Sequence, residues 1–226
     1  MMKRLILSAA IYVALCLYCT GGARAQTEDA PKIELGVQFS SLTINEPDFG
    51  GTRTEPGGAG GGGRFTYNLT HHVALEAEGN FFPINDRSFS STLGGNTSQT
   101  LFGVKAGRRF EKFGVFGKAR PGFVSFSNTL KEINFTATGS PGDEFYIPDF
   151  RFGRKTYFAA DLGGVLEFYP SRRLMTRFDF GDTIIRYGER PGAIFYGSPG
   201  IPPTVFEQPA ETKHNFQFSA GIGFRF

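Results

Sequence analysis

Residues 218–226 read FSAGIGFRF, and their alternation decides the fold. Phe218, Ala220, Ile222, Phe224 and Phe226 are apolar, whereas Ser219, Gly221, Gly223 and Arg225 are small or polar. A period of two puts the two sets on opposite faces of a β-strand. The ends of soluble domains tend to be polar and frayed. An aromatic in the last position therefore predicts apolar surroundings for Phe226.

The same alternation recurs upstream. Ile33, Leu35, Val37 and Phe39 oppose Glu34, Gly36, Gln38 and Ser40. Phe65, Tyr67 and Leu69 oppose Arg64, Thr66 and Asn68, and Val73, Leu75, Ala77 and Phe81 are interleaved with Glu76, Glu78 and Asn80. Phe102, Val104 and Ala106 alternate with Lys105 and Arg109, and Val115, Ala119 and Phe123 with Lys118 and Arg120. Phe158, Ala160, Leu162, Leu166 and Phe168 oppose Asp161 and Glu167, and Phe178 and Phe180 oppose Arg177 and Asp179. With the closing segment this makes eight strands, and about nine to eleven residues in each suffice for a tilted strand to cross a membrane.

Composition agrees. The 226 residues include 31 Gly and 26 Phe but no Trp, and helix-period stretches are few. The N-terminal stretch MMKRLILSAAIYVALCLYCTGGARAQ has Lys3 and Arg4, an apolar run from Leu5 to Tyr18, then Ala23-Arg24-Ala25. This is the layout of an export signal cleaved before Gln26, and the run is shorter than the roughly 20 residues of a spanning helix. Residues 1–25 are therefore expected to leave, and 26–226 to form a single barrel domain. Cys16 and Cys19 would go with the signal, removing disulfide and thiol chemistry. Its three cations would go too, leaving 21 basic against 21 acidic residues and no net-charge case for nucleic acid.

Connections alternate in length. Only the turns THH, EK and PSRR separate strands two and three, four and five, six and seven. The stretches 43–58, 84–99, 127–155 and 188–212 are long, polar and rich in Gly, Pro, Ser and Asn, and are expected as loops. Long loops on one side, short turns and both termini on the other, describe an even-stranded outer-membrane barrel with its turns in the periplasm. A soluble ligand-binding barrel would instead put the apolar set inside. The one-sided loops and the aromatics Tyr67, Phe81, Phe110, Phe113, Phe168, Tyr169 and Phe224 at strand ends favour the membrane. Closure leaves no unpaired edge in lipid, so residues 213–226 are expected to pair with the first strand near Ile33–Phe39.

The closing segment, with Phe218, Ile222, Phe224 and Phe226, resembles the signal by which the barrel-assembly machinery recognises bacterial outer-membrane barrels. The whole pattern over residues 30–226 is similar to small barrels of the OmpA/OmpX type. That resemblance implies an all-β, eight-stranded antiparallel up-and-down transmembrane barrel in the bacterial outer membrane. It also implies a monomer in contact with outer-membrane lipid and the assembly machinery, and open to surface ligands at its loops. The peptidoglycan-binding domain that follows the barrel in full-length OmpA-like proteins has no counterpart in this sequence, so the resemblance implies no cell-wall tether.

On the barrel reading, Glu34, Arg64, Glu76, Glu78, Lys105, Arg109, Lys118, Arg120, Asp161, Glu167, Arg177, Asp179 and Arg225 point inward. Burying an unpaired charge is costly, and the lumen of an eight-stranded barrel holds little beyond side chains. Arg64 is expected to face Glu76 or Glu78, and the cations of strands four and five to meet carboxylates of strands three and six. Such a network either closes the lumen or gates a narrow water path. A pore and a lipid-modifying enzyme are therefore the alternatives to a non-enzymatic envelope and surface-contact protein.

Other motifs carry less. GGAGGGG (57–63) lacks the Gly-Lys-Ser/Thr of a phosphate loop. His71-His72 occupies a short turn with no further His or Cys nearby in sequence, and neither metal nor cofactor is expected. His214 stands where lipid A deacylase barrels keep a His-x-Ser pair, but residue 216 is Phe. Phe135, Phe145, Tyr146, Phe150, Phe152, Phe195 and Tyr196 put aromatics into the outer loops, as a binding surface or as mutual packing.

Overall fold

A computed structural model describes residues 31–48, 51–83, 93–196 and 198–226. The expected signal, with Ala23, Ala25 and Gln26, lies outside them. Ten strands follow in order: β1 (Ile33–Asp48), β2 (Gly51–Asn68), β3 (Val73–Phe82), β4 (Leu93–Arg109), β5 (Phe113–Thr138), β6 (Phe145–Phe168), β7 (Leu174–Tyr187), β8 (Arg190–Ile194), β9 (Thr204–Gln208) and β10 (Glu211–Arg225). Eight of them close into an antiparallel barrel in the order β1-β10-β7-β6-β5-β4-β3-β2, and β8 pairs with β9 in a separate two-stranded sheet.

Closure runs through the C-terminal segment 218–226, which pairs with β1. Glu34 pairs with Arg225 and Leu42 with Gln217, at the two ends of the β1–β10 ladder. The Phe226 amide donates to the Ile33 carbonyl at 2.8 Å, which fixes the seam at the end where β1 begins and β10 finishes. The ladder pairs residues without a break from Glu34 to Leu42, the closed edge that hydrocarbon surroundings demand.

Alternation sorts the side chains as the barrel requires. Val37 is 63% exposed on the outer wall while its neighbours Glu34 and Gln38 are buried inside. The closing-strand residues Phe218, Ile222, Phe224 and Phe226 all face outward. The glycine run of β2 has a steric reason where it faces inward. A Cβ on Gly62 would strike the Gly79 carbonyl and the Asn80 side chain, and one on Gly60 the Phe81 carbonyl. The outward Gly79 has open space around it instead.

The outer stretches depart from expectation. Much of what was expected as loop is strand: β5 and β6 are 26 and 24 residues long, and their ladder continues from Thr129–Gly153 to Thr138–Phe145. Likewise β1 and β2 pair up to Asp48–Gly51, and residues 188–212 hold β8 and β9. The physical cause is a reversal of polarity along the strands. Above the apolar belt the outward positions turn polar (Thr43, Ser125, Thr156, Arg186), while the inward ones turn apolar (Leu42, Ile44, Val124, Phe126, Tyr157, Ile185). There the strands obey the rule of a soluble sheet, apolar in and polar out.

Candidate functional site

The barrel interior is built in three layers. The lowest, at the end with the short turns, is ionic. Arg177 on β7 bonds Glu76 on β3 across the lumen, with Nη2 to Oε2 at 3.0 Å, and grips Asp179 through Nε and Nη2 at 2.7 Å each. Arg120 on β5 reaches Glu78 at 2.5 Å and Asp161 at 2.6 Å. Lys105 meets Glu167 at 2.5 Å and lies 3.6 Å from both Glu34 and Glu76. Lys118 joins Asp161 at 2.9 Å to Asp179 at 3.5 Å.

Arg109 completes the lower mouth. It bonds Glu34 at 3.0 Å and the Tyr169 hydroxyl at 3.1 Å, and that hydroxyl donates to Glu167 at 2.8 Å. Arg225 lies 3.7 Å from Glu34 and 4.2 Å from the Tyr169 ring centroid. Arg64 differs from expectation. It stands opposite Glu78 in the ladder, yet its close contacts are Gln38 at 2.9 Å and Asp179 at 3.4 Å, because Arg120 occupies Glu78. All thirteen inward charges thus connect through one set of contacts, and many ties run between strands that are not neighbours in the sheet.

The middle layer is neutral. Gln38 and Ser40 bond Asn80, Asn80 donates to Gln99 at 2.8 Å, Gln99 exchanges hydrogen bonds with Gln217, and Thr183 donates to Gln217 at 2.7 Å. Ser40 and Ser219 hydroxyls meet at 2.8 Å across the closing seam. Above it lies an apolar layer: Leu42, Ile44, Phe82, Leu93, Val124, Phe126, Tyr157, Ala159, Ile185 and Tyr187 form one buried cluster. The Tyr157 and Tyr187 rings lie 5.0 Å apart, and Phe126 is 6.0 Å from Tyr157. Sequence reasoning missed both upper layers by attending only to charges. The signal was present, since Gln38, Ser40, Leu42 and Ile44 continue the parity of Glu34.

At the outer rim His214 and Asp182 face outward together, Nδ1 to Oδ2 at 2.5 Å, and the Asn215 amide donates to the other Asp182 oxygen at 3.0 Å. Two residues along the same face from His214 stands Phe216, which offers no nucleophile. Phe145, Phe150 and Phe152 are exposed on β6, Phe195 and Tyr196 are exposed just past β8, and Phe135 packs edge-on against Phe195 at 5.3 Å. Among the described residues no three His, Cys, Asp or Glu side chains gather as a metal ion would require. In the β2–β3 turn, burial holds the His71 imidazole below its usual pKa, against a hydrogen bond with the Arg109 backbone that favours the charged form.

Comparison with known proteins gives a family match and a set of similar folds. The model of the outer membrane protein beta-barrel domain family matches residues 11–226. Among solved structures, Ail, the attachment invasion locus protein of Yersinia pestis, is 12% identical with a TM-score of 0.46, covering 88% of this chain and 100% of its own. Neisserial surface protein A is 10% identical with a TM-score of 0.48, covering 88% and 100%. OprG of Pseudomonas aeruginosa is 8% identical with a TM-score of 0.48, covering 87% and 97%. No curated protein sequence matches the chain.

Proposed function

The chain belongs to the outer membrane protein beta-barrel domain family and spans the bacterial outer membrane, and we propose that it serves there as a non-enzymatic, non-conducting barrel. In this reading the barrel is an anchor that presents the outer hairpins to the cell's surroundings. One observation carries the proposal: an ion-paired lower lumen lies beneath a neutral hydrogen-bonded layer, and that beneath the apolar cluster around Phe126, Tyr157 and Tyr187. A hydrated path needs open space throughout, and a layer packed ring against ring leaves water none.

The outer strands supply the contact surface. Phe145, Ile147, Phe150 and Phe152 are exposed on β6 beyond the stretch where β7 pairs with it, which ends at Phe158–Arg186. Exposed apolar groups set in polar surroundings are the usual marks of a contact site. The His214–Asp182 pair is read as mutual hydrogen bonding that leaves neither polar side chain unpartnered on the outer wall near lipid level.

The test is solute flux. Vesicles holding the refolded barrel, placed in a hyperosmotic bath of a small sugar or amino acid, are expected to swell no faster than protein-free vesicles. Protein-dependent swelling that declines with solute size would make the protein a pore.

A further inference from the structure

The periplasmic end of the barrel carries a collar of basic residues that the lumen network does not use. Lys32 precedes β1, His71 and His72 fill the β2–β3 turn, Arg108 and Lys112 flank the β4–β5 turn, and Arg172 and Arg173 form the β6–β7 turn. All are exposed, and among the described residues of these turns Glu111 alone is acidic. The order of strands distributes them around the whole circumference, since the three turns and the β1–β10 seam alternate about the rim.

Their height is set by the aromatics beside them. Arg108 shares the outward face of β4 with Val104, and its guanidinium lies 5.7 Å from the Phe110 ring centroid. Phe110 stacks on Phe113 at 4.6 Å, directly after Lys112. Lys32 and Arg173 each stand one residue before an apolar strand start, at Ile33 and Leu174. Outward aromatics mark the interface between hydrocarbon and headgroups, so Lys112 between Phe110 and Phe113 lies at headgroup level, and Arg108, two residues before Phe110, reaches that level through a side chain that lies near the Phe110 ring. The turns are too short to carry these charges farther into the periplasm.

We propose that this collar binds the phosphodiester headgroups of anionic phospholipids in the periplasmic leaflet, giving the barrel a preferred shell of acidic lipid at its inner end. Lys and Arg near a membrane surface attract acidic headgroups, and the attraction decays within a Debye length.

The experiment compares the association of spin-labelled phosphatidylglycerol and phosphatidylcholine with the full barrel in bilayers. The wild type is expected to prefer phosphatidylglycerol several-fold at low salt and to lose most of that preference at high salt. A variant carrying R108Q, K112Q, R172Q and R173Q is expected to show little preference, while R154Q with R186Q at the outer rim keeps it. Equal association of both lipids with the wild type would overturn the proposal, as would a preference indifferent to salt. So would a preference that survives the fourfold change or disappears with the outer pair. Saturable binding of soluble polyglutamate without lipid preference would overturn it too, and would assign the collar to an acidic periplasmic partner. If the fourfold variant fails to fold, the salt response of the wild type decides the matter alone.

Discussion

Arg177 and Glu76 bond across the lumen although their strands, β7 and β3, are not neighbours in the sheet. A tie of this kind braces opposite walls of the cylinder, which ladder hydrogen bonds cannot do. Each partner is fully enclosed, so the favourable contact exists only while both charges are present. Removing one partner of a buried pair leaves an uncompensated charge, and costs more than the pair itself contributes.

Arg177→Ala is therefore expected to destabilise the barrel by about 3–5 kcal/mol. Urea unfolding in lipid vesicles measures this. Adding Glu76→Gln to Arg177→Ala should recover part of the loss, because the carboxylate deprived of its closest partner is then neutral. Strictly additive losses would mean that the two residues do not act as a pair.

The apolar layer should behave as a packed core. Phe126→Ala, fully buried between Tyr157 and Tyr187, is expected to cost about 3–5 kcal/mol in the same assay. Phe123→Ala, on the outer wall three residues before it, should cost distinctly less, since its ring is 53% exposed.

Two glycines should respond in opposite ways. Gly62→Val drives a side chain into the backbone of β3 and is expected to prevent closure, read as loss of the compact, heat-modifiable band on a gel. Gly79→Val points into open space on the outer wall and is expected to fold as the wild type does. Equal behaviour of the two variants would contradict the inward and outward assignments.

Eight strands and their closure were legible because period-two alternation is strong wherever one face meets lipid, as at Val37 and Phe39 against Glu34 and Gln38. The strand lengths were not. Beyond the belt the apolar positions move to the inner face, so Leu42, Ile44, Val124 and Phe126 keep the parity of the charges while changing their chemistry. A reader following charge parity stops there and takes the polar outward residues for loop. The ion pairs were legible only in kind. Charge and parity name Arg64, but not that Arg120 takes Glu78 and leaves Arg64 to Asp179 and Gln38, since cross-lumen distances have no counterpart in sequence spacing.

The central claim is a lumen that carries no current, and the most direct measurement is single-channel recording of the refolded protein in a planar bilayer. The account predicts insertion without conductance steps, both for the wild type and for Arg109→Ala at the lower mouth, because the apolar layer around Phe126 lies above that residue's ionic layer. Discrete steps from the wild type, altered in size by Arg109→Ala or Arg120→Ala, would contradict it and make the ionic layer the lining of a pore.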